Sequence, residues 1–388
     1  MKVPLLDLRK QYQGMKQEID AALIRVAESQ MLILGEEVEK LEKSLAEYCG
    51  TQYAIGVSSG TDALLTALMA IDIKPHDEVI MPTYSFFATA GVVARLNAVP
   101  VFVDSDPVTF NIDTNAIRAM INAKTKAIIP VHLYGQCADM KEILAIGEQY
   151  NIPIIEDCAQ SIGAEYMDRR RVGSMGLMGC FSFYPTKNLG AFGEGGLVTT
   201  NDEQLADKLK KMRNHGMFPK YCHGFIGGNF RLDAIQAAVL NVKFPHLEGW
   251  HSARRKNAEL YVKLFKEAGL AKRTGETEYS ENNKVLLPKA VYQEFGHHNY
   301  HIYNQFIIRV KKRDELRKFL GDNEIGTEIY YPVPFHRQGC FEYLNSDDSK
   351  FPVANQLSAE TIALPIYPEL EPEQIEYVVS KIADFLKS

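Results

Sequence analysis

The sequence has no long apolar run, no excess of positive charge and only six cysteines in its 388 residues. No stretch approaches the ~18 apolar residues that span a bilayer, and the first residues lack the apolar core of a signal peptide. We therefore expect a soluble, cytoplasmic protein with no membrane partner. Lys and Arg number 43 against 49 Asp and Glu, a net charge of −6, which argues against nucleic-acid binding through bulk positive charge.

The cysteines form no metal or redox motif, since none lies in a CxxC spacing. In a chain of this length we expect reduced, packed thiols rather than a disulfide framework. His297 and His301 have the i, i+4 spacing of helical zinc ligands, but no Glu or Cys stands at ligand spacing nearby. We predict a polar loop at these histidines and no metal site.

The composition is that of a globular protein, with 46% hydrophobic and 24% charged residues, and the length suggests two domains. Between about residues 50 and 200, short apolar runs alternate with helix-like stretches such as 60–71 and 140–150. Most of these runs are apolar throughout, as are strands buried on both faces of a largely parallel sheet. The predicted strands are 54–57, 78–81, 99–103, 127–130, 153–155, 180–183 and 197–200.

Beyond residue 200 the pattern changes. Residues 215–229 are rich in Gly and aromatics and predict a long loop, a kind of segment that is usually functional. An Ala-rich helix is predicted at 231–242, and a long charged helix at 250–267 is a candidate bridge into a second domain. From about 300 to 388, shorter strands and helices mix in an α+β pattern.

Three segments that follow predicted strands carry candidate functional residues. Residues 58–61 (SSGT) open a predicted helix, whose N–H groups and dipole can bind a phosphate; ordinary helix capping is the alternative. Asp157 follows the run 153–155, where a carboxylate can hold a cation or a protonated ring nitrogen, or simply cap the next helix. Lys187 follows the run 180–183 and precedes a glycine-rich turn. Partial burial there can leave its amine neutral enough to attack a carbonyl; an ordinary surface lysine is the alternative.

An anion site, a carboxylate and an amine together match the needs of pyridoxal 5'-phosphate (PLP). The strings 182–190 (SFYPTKNLG) and 229–233 (NFRLD) resemble those of the DegT/DnrJ/EryC1/StrS family of sugar aminotransferases, and the resemblance covers nearly the whole chain. It implies the α/β fold type I of PLP-dependent transferases, with a mostly parallel seven-stranded sheet in the large domain and a smaller α+β C-terminal domain. We place the large domain at 30–245 and the small domain at 246–388, with 1–29 packing on the small domain.

The resemblance assigns cofactor roles residue by residue. Lys187 falls at the position of the family lysine that forms the Schiff base with PLP and moves the substrate proton. Asp157 falls where a carboxylate pairs with the pyridine nitrogen, and Gln160 falls where the ring 3-oxygen is bound. Phe86 is expected to stack on the ring, with Tyr84 as the competing candidate.

The phosphate ligands implied by the same resemblance are Gly60, Thr61 and Ser182. Asn229 matches an asparagine that reaches the phosphate held by the neighbouring subunit, which implies a homodimer with shared active sites. Arg231 is expected to bind the carboxylate of the amino donor, L-glutamate, which leaves as 2-oxoglutarate. A structural ion pair with Asp233 or another neighbour is the alternative for this arginine.

The string 326–338 (GTEIYYPVPFHRQ) looks like that of family members that aminate C3 of a nucleotide-linked keto sugar, except that Tyr330 stands where His is usual. Tyr330, Tyr331 and His336 are therefore expected to bind substrate, with a proline-rich turn as the alternative. The preferred acceptor is a UDP-2-acetamido-2-deoxy-3-oxo-hexose, giving a 2,3-diamino sugar for lipid A or surface polysaccharide. The alternatives, in order, are the 3-oxo-uronic acid, a dTDP-3-oxo-6-deoxyhexose, a 4-keto sugar and, outside enzymes, a PLP-binding regulatory protein.

Overall fold

The computed structural model describes residues 1–387, and a seven-stranded sheet forms its centre. Its strands are β1 (Tyr53–Val57), β2 (Glu78–Pro82), β3 (Val99–Val103), β4 (Thr125–Ile128), β5 (Ile155–Asp157), β6 (Met178–Ser182) and β7 (Gly196–Thr200). Two ladders, ordered β3-β2-β4 and β5-β6-β7-β1, meet through parallel bridges between Ile128 and Ile154 and between Val131 and Asp157. β7 runs antiparallel to both of its neighbours, and the other strand pairs run parallel.

The predicted fold class is confirmed, because the continuous apolar runs form strands that are buried almost throughout. Every residue of β5 and β7 is buried, as expected for strands covered on both faces. Eight α-helices precede residue 245, and several of them pack on this sheet. The eight are α1 (Leu8–Ser29), α2 (Glu36–Cys49), α3 (Gly60–Ala70), α4 (Ala88–Arg95), α5 (Thr114–Met120), α6 (Met140–Tyr150), α7 (Glu203–Met212) and α8 (Ala234–Lys243).

The predicted helix at 231–242 is wrong at its start, because α8 begins only at Ala234. The preceding residues are extended and pair with other segments: Asn229 bridges Asn214, and Arg231 bridges Val57 at the end of β1. The Ala-rich composition of this stretch gave no sign of that pairing, which depends on residues far away in sequence.

A smaller unit follows the long helix α9 (Leu247–Glu267). Two antiparallel strands, β8 (Phe306–Arg309) and β9 (Thr361–Leu364), form its sheet. Three helices belong to the same part of the chain: α10 (Arg313–Asp322), α11 (Pro352–Glu360) and α12 (Pro372–Lys387). None of the helices in residues 1–387 is both long enough and apolar enough to cross a membrane.

The N-terminal segment contacts both parts of the chain. Val3 pairs with Ile325, and its carbonyl accepts a hydrogen bond from Gly326 N at 2.8 Å, which ties the first residues to the small unit. α1 instead packs on α8, through a cluster in which Ala22 and Val26 lie against Ala234 and Ala238. Placing the domain boundary at residue 245 stays a prediction.

The predicted polar loop at His297 and His301 is only partly correct. His297 Nε2 lies 2.6 Å from the carbonyl oxygen of Met167. His301 is buried and stacks on Tyr303, with ring centroids 3.9 Å apart. Burial lowers the pKa of His301 to about 3, so this histidine is a neutral packing residue.

Candidate active site

Asp157 and Lys187 lie at the carboxyl edge of the sheet, where β5 and β6 run parallel. Asp157 ends β5 and is buried, while Lys187 stands five residues beyond the end of β6 and is half-buried as a whole residue. Burial lowers the pKa of the Lys187 amine to about 8, and the charge of Asp157 opposes this shift. An amine with this pKa is partly neutral near pH 7 and can act as a nucleophile or a base.

The carboxylate of Asp157 is fixed by two donors. Thr89 Oγ1 lies 2.8 Å from Oδ2, and the backbone N–H of Ala159 donates to Oδ1 at 3.1 Å. Burial raises the pKa of Asp157, while these hydrogen bonds and the charge of Lys187 oppose the rise. Thr89 comes from α4, and no sequence pattern pointed to it.

Lys187 is presented by a tight turn. Its backbone N–H donates to Tyr184 O at 2.8 Å, and Asn188 Nδ2 donates to Ile302 O at 3.1 Å. A Cβ at Gly190 would lie 2.2 Å from Pro185 O, so only glycine fits at this point. The glycine-rich pattern after Lys187 therefore has a local steric cause.

The predicted phosphate ligands meet at the N-terminus of α3. A Cβ on Gly60 would lie 2.6 Å from Ser182 Cβ, so the absence of a side chain brings β6 directly against the start of this helix. Ser59 caps the helix by accepting from Asp62 N at 3.0 Å, and Thr61 is exposed at the first turn. The free N–H groups of this first turn and the nearby Ser182 hydroxyl form a site suited to an anion.

Of the two candidates for stacking on the cofactor ring, Phe86 has an exposed side chain and Tyr84 does not. Tyr84 is fully buried, and its hydroxyl donates to Tyr330 O at 2.6 Å. Phe86 is 56% exposed, and its ring centroid lies 6.1 Å from that of Tyr331. Thr89 contacts both Phe86 and Asp157. Its hydroxyl lies 3.2 Å from Phe86 O and 2.8 Å from Asp157 Oδ2.

Gln160 and Tyr331 are joined at the same edge. Gln160 Nε2 donates to Tyr331 Oη at 2.7 Å, and Gln160 Oε1 accepts from the backbone N–H of Tyr134 at 2.7 Å. Burial raises the pKa of Tyr331, and the negative charge of Asp157 raises it further. The Tyr331 hydroxyl therefore lies close enough to Asp157 to interact with its charge. Tyr134 was missed because it acts through its backbone and lies between strands.

Tyr330 and His336 are the other two residues of the 326–338 string that were predicted to bind substrate. Tyr330 is half-buried and lines a cavity of about 70 Å³ that Thr186 also lines, next to Lys187. His336 is buried, with Nδ1 2.7 Å from Thr83 Oγ1 and Nε2 within 3.2 Å of Asp348 Oδ1. Both ring nitrogens of His336 are thus already bonded inside the protein.

Arg231 and Asn229 stand beside the anion site. Ser58 N donates to Phe230 O at 3.0 Å, so residues 229–231 run along the start of α3. Arg231 Nη1 donates to Asn214 Oδ1 at 2.6 Å, and its buried Nε has no partner within residues 1–387. The described part of the chain shows no ion pair between Arg231 and Asp233, which was the alternative role. Asn229 is exposed.

A buried polar cluster supports the strand that carries Asp157. The ligand atoms of His132, Glu156 and Cys158 lie within 4.8 Å of one another, a spacing that could hold a metal ion. The hydrogen bonds of His132 and Glu156, however, already occupy these ligand atoms. His132 Nδ1 accepts from Ala138 N at 3.0 Å, so Nε2 carries the proton that faces Glu156 Oε2 at 2.9 Å. The other Glu156 oxygen accepts from backbone N–H groups, including that of Gly176 at 2.6 Å. This cluster is therefore a satisfied hydrogen-bonded pair.

Known proteins share this architecture over its full length. The chain is 47% identical over 387 residues to a pleiotropic regulatory protein of Geobacillus stearothermophilus, covering 100% of this chain and 99% of that one. It is 40% identical to the UDP-N-acetyl-3-dehydro-alpha-D-glucosamine 3-aminotransferase of Acidithiobacillus ferrooxidans, covering 98% and 97% of the two chains. The crystal structure of DesV from S. venezuelae superposes with a TM-score of 0.90 at 36% identity, covering 100% and 99%.

A family model matches the same span. Residues 13–383 fit the model of an aminotransferase family, which is 371 of the 388 residues. The match agrees with the resemblance seen in the strings around Lys187 and Arg231. The chain belongs to the DegT/DnrJ/EryC1/StrS aminotransferase family.

Proposed function

We propose that this chain is a PLP-dependent aminotransferase that moves the amino group of L-glutamate to C3 of a UDP-2-acetamido-2-deoxy-3-oxo-hexose. The observation that carries the proposal is the position of Lys187 and Asp157 at the same edge of the sheet. Burial lowers the pKa of the Lys187 amine to about 8, and a fixed carboxylate lies close enough to oppose that shift. An amine and a carboxylate of this kind, beside an anion site, are what PLP requires.

The residues present fit the cofactor. Asp157 would pair with the pyridine nitrogen, and Phe86 offers an exposed ring for stacking. Gly60, Thr61 and Ser182 would hold the phosphate, since they surround the start of α3. Gln160 retains one amide N–H for the ring 3-oxygen, because Nε2 has two protons and only one is used on Tyr331. These residues come from three strand ends and one helix.

The chemistry divides between cofactor and chain. When bound, PLP supplies an electron sink that stabilises negative charge at the reacting carbon. Lys187 would hold the cofactor through its amine, and the free amine would act as the acid/base that moves a proton between the substrate carbon and the cofactor. The lowered pKa of Lys187 suits both roles, since the neutral amine and the ammonium are both populated near pH 8. Asp157 keeps the ring nitrogen protonated.

The choice of sugar rests on the C-terminal string and on one relative. Tyr331 accepts a hydrogen bond from the Gln160 amide at 2.7 Å, and Tyr330 and Thr186 line the same small cavity, which supports these two tyrosines as the proposed contacts of the sugar. The Acidithiobacillus relative described above is named for a UDP-linked 3-dehydro sugar. The product would be a 2,3-diamino sugar for lipid A or surface polysaccharide. Arg231, whose buried Nε has no partner among residues 1–387, would bind the donor carboxylate.

We also propose that the chain forms a homodimer with shared active sites. Large apolar side chains are exposed in two segments near the site: Met31, Leu32 and Ile33 before α2, and Phe218, Tyr221 and Ile226 in the loop after α7. A second copy of the chain would cover these side chains. Asn229, at the end of the second segment, is exposed and would reach the partner's phosphate site.

The test follows the two half-reactions separately. Purified protein is loaded with PLP and treated with L-glutamate, and conversion of the bound cofactor to its amine form is read by absorbance. After removal of glutamate, UDP-3-oxo-GlcNAc or a UDP-4-oxo sugar is added in separate cuvettes. We expect the starting spectrum to return with the 3-oxo sugar only, and a return with the 4-oxo sugar only would move the reaction to C4. A Lys187→Ala variant that keeps full activity would contradict the role of Lys187.

The regulatory alternative has one observation in its favour. The relative that is 47% identical is named a pleiotropic regulatory protein. A binding protein that performs no transamination has no need for a partly neutral amine beside a fixed carboxylate. If L-glutamate and other amino acids leave the spectrum of the PLP-loaded protein unchanged, the regulatory function is the better account.

A further inference from the structure

We propose that Lys243 and Gln236 are positioning residues that fix the turn carrying Lys187 and thereby set where its amine stands. This inference rests on the proposed PLP-dependent function and deepens it. Both residues lie on α8, outside the group of cofactor ligands. They are seven residues apart, which is close to two helical turns, so they project from the same face of the helix.

The two side chains hold the turn on either side of Ala191. Lys243 Nζ donates to Gly190 O at 2.6 Å. Gln236 Oε1 accepts from Phe192 N at 2.9 Å, and its Nε2 lies 3.4 Å from Phe192 O. Because Gly190 is only three residues beyond Lys187, a shift of its carbonyl moves the backbone that presents the amine.

The environment of Lys243 indicates a positional rather than a stabilising role. Lys243 is 3% exposed, and its ammonium also lies 5.1 Å from the ring centroid of Phe192. Burial lowers the pKa of Lys243 to about 8, and the charge of Glu369 opposes the shift. A buried cation with one carbonyl partner is costly, and an apolar side chain of the same length would pack at lower cost.

The helix that carries these residues is itself held firmly. Another face of α8 is buried against α1, where Ala234 and Ala238 meet Ala22 and Val26. Tyr12 of α1 also makes an edge contact with Phe192, with ring centroids 5.8 Å apart. The turn that carries Lys187 is therefore held by two helices, in addition to the hydrogen bond that Ala191 N donates to Phe183 O at 2.8 Å beside the end of β6.

The experiment compares Lys243→Met and Gln236→Leu with the control Lys208→Met in the full-length chain. Lys208 Nζ also donates to a backbone carbonyl, that of Ala70 at 2.7 Å, but on a different helix. Single turnovers with L-glutamate are measured on the PLP-loaded proteins. We expect Lys243→Met to slow the maximal rate about 10- to 100-fold while the glutamate concentration for half-maximal rate changes less than about threefold. Gln236→Leu is expected to give a smaller loss, and Lys208→Met none.

A second readout needs no turnover. The pH dependence of Lys187 labelling by an amine-reactive reagent, followed by peptide mass spectrometry on the chain before PLP is added, gives the pKa of this amine. We expect a midpoint near the pKa of about 8 in the parent protein. A loosened turn admits water to the amine, so Lys243→Met should move the midpoint upward, toward the ordinary lysine value of 10.5.

The outcomes separate the two proposals. Lys243→Met with parent-like turnover and an unchanged labelling midpoint would overturn the positioning role, as would a fall in thermal stability with no change in the midpoint. If the parent protein itself fails to react with glutamate, the proposed function falls. The labelling midpoint would then still decide whether Lys243 positions Lys187.

Discussion

The hydroxyl of Thr89 lies 2.8 Å from Oδ2 of Asp157, and both side chains are buried. This contact joins the start of α4 to the end of β5, so that a helix residue fixes the carboxylate at the sheet edge. The hydrogen bond favours the charged form of Asp157 against the effect of burial, which raises its pKa.

Removing this donor should weaken the site without unfolding it. In Thr89→Val the pKa of Asp157 should rise further, and the acidic limb of the pH–rate profile should move to higher pH. We expect kcat at pH 7 to fall about tenfold, the size of a lost hydrogen bond to a charged group. Thr89→Ser, which keeps the hydroxyl, is the control. Equal profiles for the valine and serine variants would contradict this role of Thr89.

The lowered pKa of Lys187 predicts a pH dependence for cofactor attachment. Only the neutral amine attacks the PLP carbonyl, so the rate of attachment should rise with pH and reach half of its maximum near pH 8. Asp157 raises the pKa of Lys187, so Asp157→Asn should move this midpoint below 8. Stopped-flow absorbance after mixing with PLP gives the rate, and a midpoint above 10 in the parent protein would contradict the prediction.

A side chain at Gly60 should weaken PLP binding for steric reasons. An alanine Cβ there would meet Ser182 Cβ at 2.6 Å, so the start of α3 must move away from β6. We expect Gly60→Ala to weaken PLP binding about tenfold, as overpacking of 1–3 kcal/mol would do at a phosphate site. Gly249→Ala is the matched control, since nothing lies within 4 Å of its added Cβ. Equilibrium dialysis against PLP measures both, and equal affinities would refute the steric argument.

The buried pair of Glu156 and His132 should contribute to stability. Glu156→Leu leaves His132 and several N–H groups without their acceptor, so we expect a loss of about 3–5 kcal/mol in urea unfolding at pH 7. Exposed Glu267, 3.8 Å from Lys263, is the control, and Glu267→Gln should change stability by less than about 0.5 kcal/mol.

The same pair predicts how stability changes with pH. Burial opposes ionisation of Glu156, but the hydrogen bond from His132 and those from the backbone lower its pKa below the ordinary 4.5. Its contribution is therefore complete above pH 4.5 and is lost as the pH falls through the folded-state pKa. The stability difference between parent and Glu156→Leu should shrink in acid, and a difference that grows in acid would contradict this assignment.

Much of the architecture could be predicted from sequence because the strands are continuous apolar runs and the site residues follow strand ends. Asp157 and Lys187 were selected in this way, and the fold brings both to the carboxyl edge of the sheet. Thr89 and Lys243 were missed because each contacts a partner more than fifty residues away in sequence. The periodicity of a sequence does not reveal such long-range contacts. His336 was predicted to bind substrate together with Tyr330 and Tyr331. In the structure its two ring nitrogens lie within hydrogen-bond distance of Thr83 and Asp348.

The proposed function depends on Lys187 being the residue to which PLP attaches. The most direct measurement is reduction of the PLP-loaded protein with borohydride, followed by peptide mapping by mass spectrometry. We expect to find the reduced cofactor on Lys187 alone, and to find none in the Lys187→Ala variant. Cofactor on another lysine, or none retained by the parent protein, would contradict it.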